Sequence, residues 1–124
     1  MRYDFPMKYE VEYTDEFAAW WETLNEKQQI AVTVSVTLLE RLGPKLPYPH
    51  SSAILSSRHG HMRELRTQCD GKPLRTLYAF DPRRVAILLI GGEKIGNNRW
   101  YETFVPVADK IYDKYLLEIA ERDD

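Results

Sequence analysis

Residues 61–90, HMRELRTQCDGKPLRTLYAFDPRRVAILLI, decide how this chain folds. Residues 61–69 and 73–80 are strand-length stretches flanking Asp70-Gly71, a dipeptide suited to the positive φ angles of a tight hairpin. Asp81-Pro82-Arg83 marks the next turn, and residues 84–90 form a third strand. Val85 to Ile90 is apolar without a break, so this strand is expected to be central and covered on both faces. Gly91-Gly92 is expected to stop it.

Upstream, residues 7–13 (MKYEVEY) alternate apolar and polar side chains, the pattern of a strand. Thr14 suits the N-cap of a short helix, with Asp15 and Glu16 where the helix dipole favours acids. Phe17, Trp20, Trp21 and Leu24 form its apolar stripe. Asn25 and Gln28 resemble a capping box, which starts a second helix. Ile30, Val34 and Leu38 lie four apart, with Ala31, Leu39 and Leu42 beside them, and are expected to form its buried face. Gly43-Pro44 ends that helix, and the proline- and serine-bearing residues 44–60 read as a loop.

Downstream, Pro106 fits the first turn of a final helix, with Val107, Ile111 and Tyr115 on its inner face. Ala108, Tyr112, Leu116 and Ile119 adjoin them. The order is β-α-α-β-β-β-α, expected as one α+β domain over residues 1–124, with helices packed on an antiparallel sheet.

The 124 residues suffice for a core without staples, and 44% hydrophobic with 29% charged residues is ordinary for a globular protein. Cys69 is the lone cysteine, so an intramolecular disulfide and a multi-cysteine zinc site are excluded. No apolar leader or bilayer-length run is present, which predicts a cytoplasmic protein that does not engage membranes. The net charge of −2 conceals a division. Residues 58–99 hold nine Lys/Arg against four acids, a local +5, and the remainder carries −7. An anionic ligand responds to the local field, so the basic segment is a candidate nucleic-acid face. Basic side chains on a solvated sheet edge are the plainer alternative.

The element order, with Arg63-Glu64-Leu65-Arg66, Gly71-Lys72-Pro73-Leu74-Arg75 and Tyr78-Ala79-Phe80-Asp81, resembles the RelE/ParE toxin superfamily. Leu88-Leu89-Ile90-Gly91-Gly92-Glu93-Lys94 and Arg99-Trp100-Tyr101 extend the resemblance to the phage-derived, HigB-like branch. It implies a small RelE-like fold and a type II toxin, a ribosome-dependent mRNA endonuclease that inhibits translation. The implied cut needs no metal or cofactor: the ribose 2′-OH attacks the adjacent phosphate. The implied partners are the ribosome, its mRNA and a helix-turn-helix antitoxin, in a toxin–antitoxin hetero-oligomer. The acidic remainder, including the helical hairpin and last helix, is the expected antitoxin contact. A non-nuclease module remains the alternative, such as a ParE-like gyrase poison or an inactive antitoxin-binding relative. A freestanding RNA-binding domain is a further one.

Such a cleavage requires a group to deprotonate the 2′-OH, cations to stabilise the phosphorane, and a proton for the leaving 5′-oxygen. Guanidinium groups grip phosphate oxygens through paired hydrogen bonds, so Arg66 and Arg75, on strands joined by a tight turn, are the first catalytic candidates. Lys94, where the chain leaves the central strand, is the third. Tyr78 is a candidate for stacking on a base, although its alternation with Leu74, Thr76 and Phe80 equally suits a core tyrosine. Arg63, Arg83, Arg99, Tyr101 and His61 complete the candidate RNA contacts, with Trp100 expected to pack as core. His59-Gly60-His61 has metal-ligand spacing but no convincing acidic or cysteine ligand nearby, and no metal is expected. No general base is evident.

Overall fold

The computed structural model describes residues 8–96 and 99–122. The chain runs β1 (Val11–Tyr13), α1 (Asp15–Glu22), α2 (Glu26–Leu42), β2 (Ser51–Ala53), β3 (Arg63–Cys69), β4 (Lys72–Phe80), β5 (Ala86–Glu93) and α3 (Arg99–Arg122). The strands form one sheet in the order β1-β5-β4-β3-β2. Asp70 and Gly71 take φ angles of 52° and 76°, the left-handed pair that closes the β3–β4 hairpin. Register then follows, with Arg66 opposite Arg75 and Arg63 opposite Tyr78.

The helix starts are fixed by the expected caps. Thr14 Oγ1 accepts the Phe17 N–H at 3.1 Å. Asn25 and Gln28 close a reciprocal capping box, at 2.8 and 3.0 Å. β5 lies between β1 and β4, with α1 and α2 packed over one face of the sheet and α3 over the other. Phe17, Val32, Leu39, Leu65, Tyr78 and Leu88 join the first layer. Leu77, Ile87, Leu89, Trp100, Ala108, Ile111 and Tyr112 join the second. Among the described residues no helix is long and apolar enough to cross a membrane.

Several details depart from the sequence reading. The sheet is mixed, because β1 pairs with β5 in parallel. The chain leaves β1 through the helical hairpin and crosses the sheet from β2 to β5, which brings β5 back beside β1. The expected loop contains β2, three residues of low strand character recruited by backbone pairing with β3. Residue 7 of the expected first strand lies outside the described residues.

β5 also runs through Gly91 and Gly92 instead of stopping there. A Cβ at Gly91 would collide with the Trp20 ring, and one at Gly92 would lie 2.7 Å from Trp100 Nε1. These glycines admit one indole from each layer, so they are packing devices within a strand.

On α2 the buried positions are Val32, Ser35 and Leu39, whereas Ile30, Val34 and Leu42 are exposed. Ser35 shares a 2.7 Å hydrogen bond with Thr67 of β3, a polar pair that turns the helix away from its most apolar face. α3 starts at Arg99, so Pro106 is internal and Arg99-Trp100-Tyr101 form its first turn. Proline is tolerated there because the backbone lacks only one donor, within an otherwise well-packed helix. Val107 is exposed, and Val105 takes the inner position expected for it.

Candidate functional site

β3 and β4 carry Arg66 and Arg75 to the sheet face that α3 covers. Arg66 and Arg75 are directly paired across the strands, and Arg75 also pairs with Gly92, the glycine beneath Trp100. Glu64, two residues before Arg66 and therefore on the same face, is buried among them. Its Oε1 lies 2.9 Å from Arg75 Nε and 3.9 Å from Arg66 Nη1. The Arg75 contact is an ion pair whose N–H is not aimed as a hydrogen bond. Tyr101 Oη reaches down from α3 and donates to Glu64, at 2.8 Å from Oε1 and 3.0 Å from Oε2. Lys94 Nζ rests 5.3 Å from the Tyr101 ring centroid, and its backbone N–H holds Pro73 O at 2.8 Å. Two arginines and a phenol thus gather round one buried carboxylate, with Lys94 against the phenol's ring.

The two arginines are not equivalent. Arg66 has 27% of its side chain exposed and lies over the Tyr48 ring, 5.2 Å from its centroid. Arg75 has only 6% exposed; Glu64 holds its Nε, and its Nη1 donates to Leu74 O at 3.0 Å. The expectation that both grip phosphate therefore needs correcting: Arg66 presents its charge outward, and Arg75 acts from beneath. Burial, then the bond to Glu64, raise the Tyr101 phenol above its ordinary value, while Arg75 pulls it back. Tyr101 therefore holds its proton at neutral pH while touching an acceptor for it.

Other candidates lie elsewhere. Tyr78 is completely buried in the α1–α2 layer, and its Oη shares a 2.6 Å hydrogen bond with Ser51 Oγ. No ring face remains for a base, which corrects the stacking assignment in favour of the core reading. Arg63 shares that sheet face, and its Nε donates to the same Ser51 Oγ at 2.9 Å. Arg83 belongs to the β4–β5 turn. Its Nη2 donates to Asp81 Oδ2 at 2.7 Å, Tyr115 Oη at 2.8 Å and Glu12 Oε1 at 3.2 Å. Those partners push its pKa well up, Asp81 first, and make Arg83 a clamp between β1, the turn and α3. Arg99 is exposed at the start of α3, and His61 is exposed in the turn before β3. His59 is drawn away to α3, with Nε2 2.7 Å from Asp113 Oδ1 and its ring edge on Tyr112.

Sequence reasoning missed Glu64 and Tyr48 as members of the site. Glu64 alternates with Arg66 on a strand, and that i, i+2 spacing was a usable signal. Tyr48 carried none, since its place depends on where the 44–60 segment folds.

The family model described as phage-derived protein Gp49-like matches residues 19–113. The chain belongs to this family. HigB3 of Mycobacterium tuberculosis, named as a toxin, is 42% identical to this Gp49-like chain over 98 residues, covering 78% of it and 84% of HigB3. HigB2 of the same organism, also named as a toxin, is 33% identical over 109 residues, covering 86% of this chain and 54% of HigB2. Escherichia coli RelE, in a double arginine-to-alanine variant in the free state, superposes with a TM-score of 0.58 at 10% identity. That match covers 79% of this chain and 96% of RelE. RelE in the archaeal RelE–RelB complex of Pyrococcus horikoshii gives 0.51 at 15% identity, covering 70% and 96%. The Gp49-like chain is a HigB-like toxin built on the RelE fold.

Proposed function

We propose that this toxin cuts messenger RNA during translation, using the face where Arg66, Arg75, Lys94 and Tyr101 surround Glu64. The observation that carries the reading is the cross-strand pairing of Arg66 with Arg75 above that buried carboxylate. Arg66 takes the scissile phosphate through its outward guanidinium. Arg75 and Lys94 add positive field where the phosphorane gathers charge, within a partly desolvated site where such charges act strongly.

The Tyr101–Glu64 hydrogen bond answers the missing general base. The 2′-OH passes its proton to Tyr101 Oη as Tyr101 passes its own to the Glu64 carboxylate. The 2′-oxygen then bonds to phosphorus, and the bond to the 5′-oxygen breaks. Lys94 protonates that leaving oxygen. The ribosome holds the message in place, which supplies the orientation a shallow face cannot.

The toxin acts in the cytoplasm and is held in check by a helix-turn-helix antitoxin bound through its acidic helical layers. The RelE–RelB assembly of Pyrococcus horikoshii supports an antitoxin partner. The test is in-vitro translation of a defined mRNA with purified protein, followed by primer extension. New 5′ ends that require ribosomes are the expected result. An intact message with normal translation would overturn the reading, and inhibition of DNA gyrase in a supercoiling assay would then identify the alternative.

A further inference from the structure

With Tyr78 buried, β4 offers the site no aromatic platform. Tyr48 offers one from an unexpected direction. The residue is 70% exposed, yet its backbone is held. His50 and Ser51 N–H groups both bond Pro47 O, at 3.0 and 3.1 Å, and the backbone N–H of Arg66 itself bonds His50 O at 2.8 Å. The turn bearing Tyr48 is therefore fastened to the same residue whose guanidinium lies over the Tyr48 ring. Tyr13 is the other strongly exposed tyrosine among the described residues, and it lies on β1 at the opposite edge of the sheet. Beside Arg66 a groove opens between α2 and the β3 edge, walled by Val34, Leu38, Pro49 and His50. An apolar wall, an open aromatic ring and an outward arginine together match the chemistry of a single-stranded nucleotide: flat base, then phosphate.

We infer that Tyr48 is a base-stacking residue, taking the base of a nucleotide next to the phosphate that Arg66 holds. The inference rests on the nuclease reading above. Stacking suits a ring because every base presents a π face, so Tyr48 contributes to affinity and register with little sequence preference. The guanidinium occupies one side of the ring, and the large exposure leaves the other to the base. The phenol hydroxyl has no part in this contact.

The test compares wild type, Tyr48→Ala and Tyr48→Phe on ribosomes programmed with a synthetic mRNA in a vacant A site. The mRNA is either natural or carries one abasic ribose at a nucleotide flanking the cut. Tyr48→Ala should cut the natural message roughly tenfold more slowly or worse, and Tyr48→Phe should match wild type. The abasic message should cost wild type a similar factor, and cost Tyr48→Ala little more, because ring and base are lost from one shared contact. Equal cutting by Tyr48→Ala and wild type would remove Tyr48 from the site and leave the nuclease reading standing. Losses that multiply would show that Tyr48 only steadies Arg66, and would equally overturn the inference. A wild-type protein that leaves the natural message whole would overturn both readings.

Discussion

Arg66 on β3 and Arg83 in the β4–β5 turn meet opposite surroundings. Arg83 is held by Asp81 and Glu12, with the Tyr115 hydroxyl completing the set. Asp81 also takes the backbone N–H groups of Arg83 and Val85, at 2.8 and 3.1 Å. The Nε and Nη2 of Arg83 and both Asp81 oxygens are engaged with the protein's own polar groups. Around Glu64 the balance is reversed, with Arg66 and Arg75 near one carboxylate, Lys94 on the Tyr101 ring, and Arg66 reaching the carboxylate only at 3.9 Å. Neutralised arginine fastens elements together, and arginine left in excess waits for an anion from outside. The local +5 of residues 58–99 could not make this distinction, because it counted both arginines alike.

The largest expected effect is on chemistry. Arg66→Ala should slow cleavage of translated mRNA by about 10²–10³-fold, the usual consequence of losing one donor to a developing oxyanion. Its melting temperature should stay close to wild type, since the side chain is partly exposed and not part of either core. Unchanged cleavage would erase the distinction between the two arginines.

Arg83→Ala should behave in the opposite way. It strips the buried Asp81 side chain of its cation and should cost about 2 kcal/mol, lowering the melting temperature by roughly 5–10 °C. The folded protein at 25 °C should cut at the wild-type rate. A matching loss of cleavage would mean that Arg83 reaches RNA after all.

The smallest effect is one of pH, and it is read at the Arg83 cluster. Burial, then the hydrogen bond to Glu12, push the Tyr115 phenol up to about 12 from an ordinary 10.0. The folded state keeps this proton after the unfolded chain has lost it. Its stabilising contribution is therefore whole below pH 10 and fades as pH rises to about 12. Glu12 behaves as the mirror image: the Tyr115 hydroxyl, and then Arg83, hold its carboxyl below 4.5 against the cost of burial. That contribution is present above 4.5 and is lost as pH falls through the depressed value. Urea unfolding between pH 9 and pH 12 checks the alkaline limb, and Tyr115→Phe should flatten it. An unaltered slope in that variant would place the titration elsewhere.

Local signals in the sequence carried well to the structure. The hairpin turn at Asp70-Gly71, the Asn25–Gln28 capping box and the Thr14 cap all depend on a few neighbouring residues, and all three formed as expected. Pairing Arg66 with Arg75 followed from the turn alone. What failed depended on distant partners. The buried face of α2 is set by Ser35 meeting Thr67, a polar contact that hydrophobic periodicity ranks below Ile30 and Val34. The burial of Tyr78 was one of two readings that its alternation with Leu74, Thr76 and Phe80 allowed, and the display of Tyr48 depends on where the 44–60 segment folds. The site was legible as residue types and as one strand pairing. Its carboxylate centre and its aromatic rim appeared only when α3 and the 44–60 segment were folded onto the sheet.

Gly91 and Gly92 give the molecule an optical gauge. Trp20 presses on one side of the strand and Trp100 on the other, at consecutive residues with no side chain between them and the backbone. The indoles of the two helical layers are thus separated by little more than the thickness of a polypeptide. Trp100 is the residue before Tyr101, and Gly92 is the partner of Arg75. A change in how α3 is seated over the site therefore changes the polarity around an indole directly. Fluorescence from the chain's own tryptophans, without any attached dye, follows any movement of that layer.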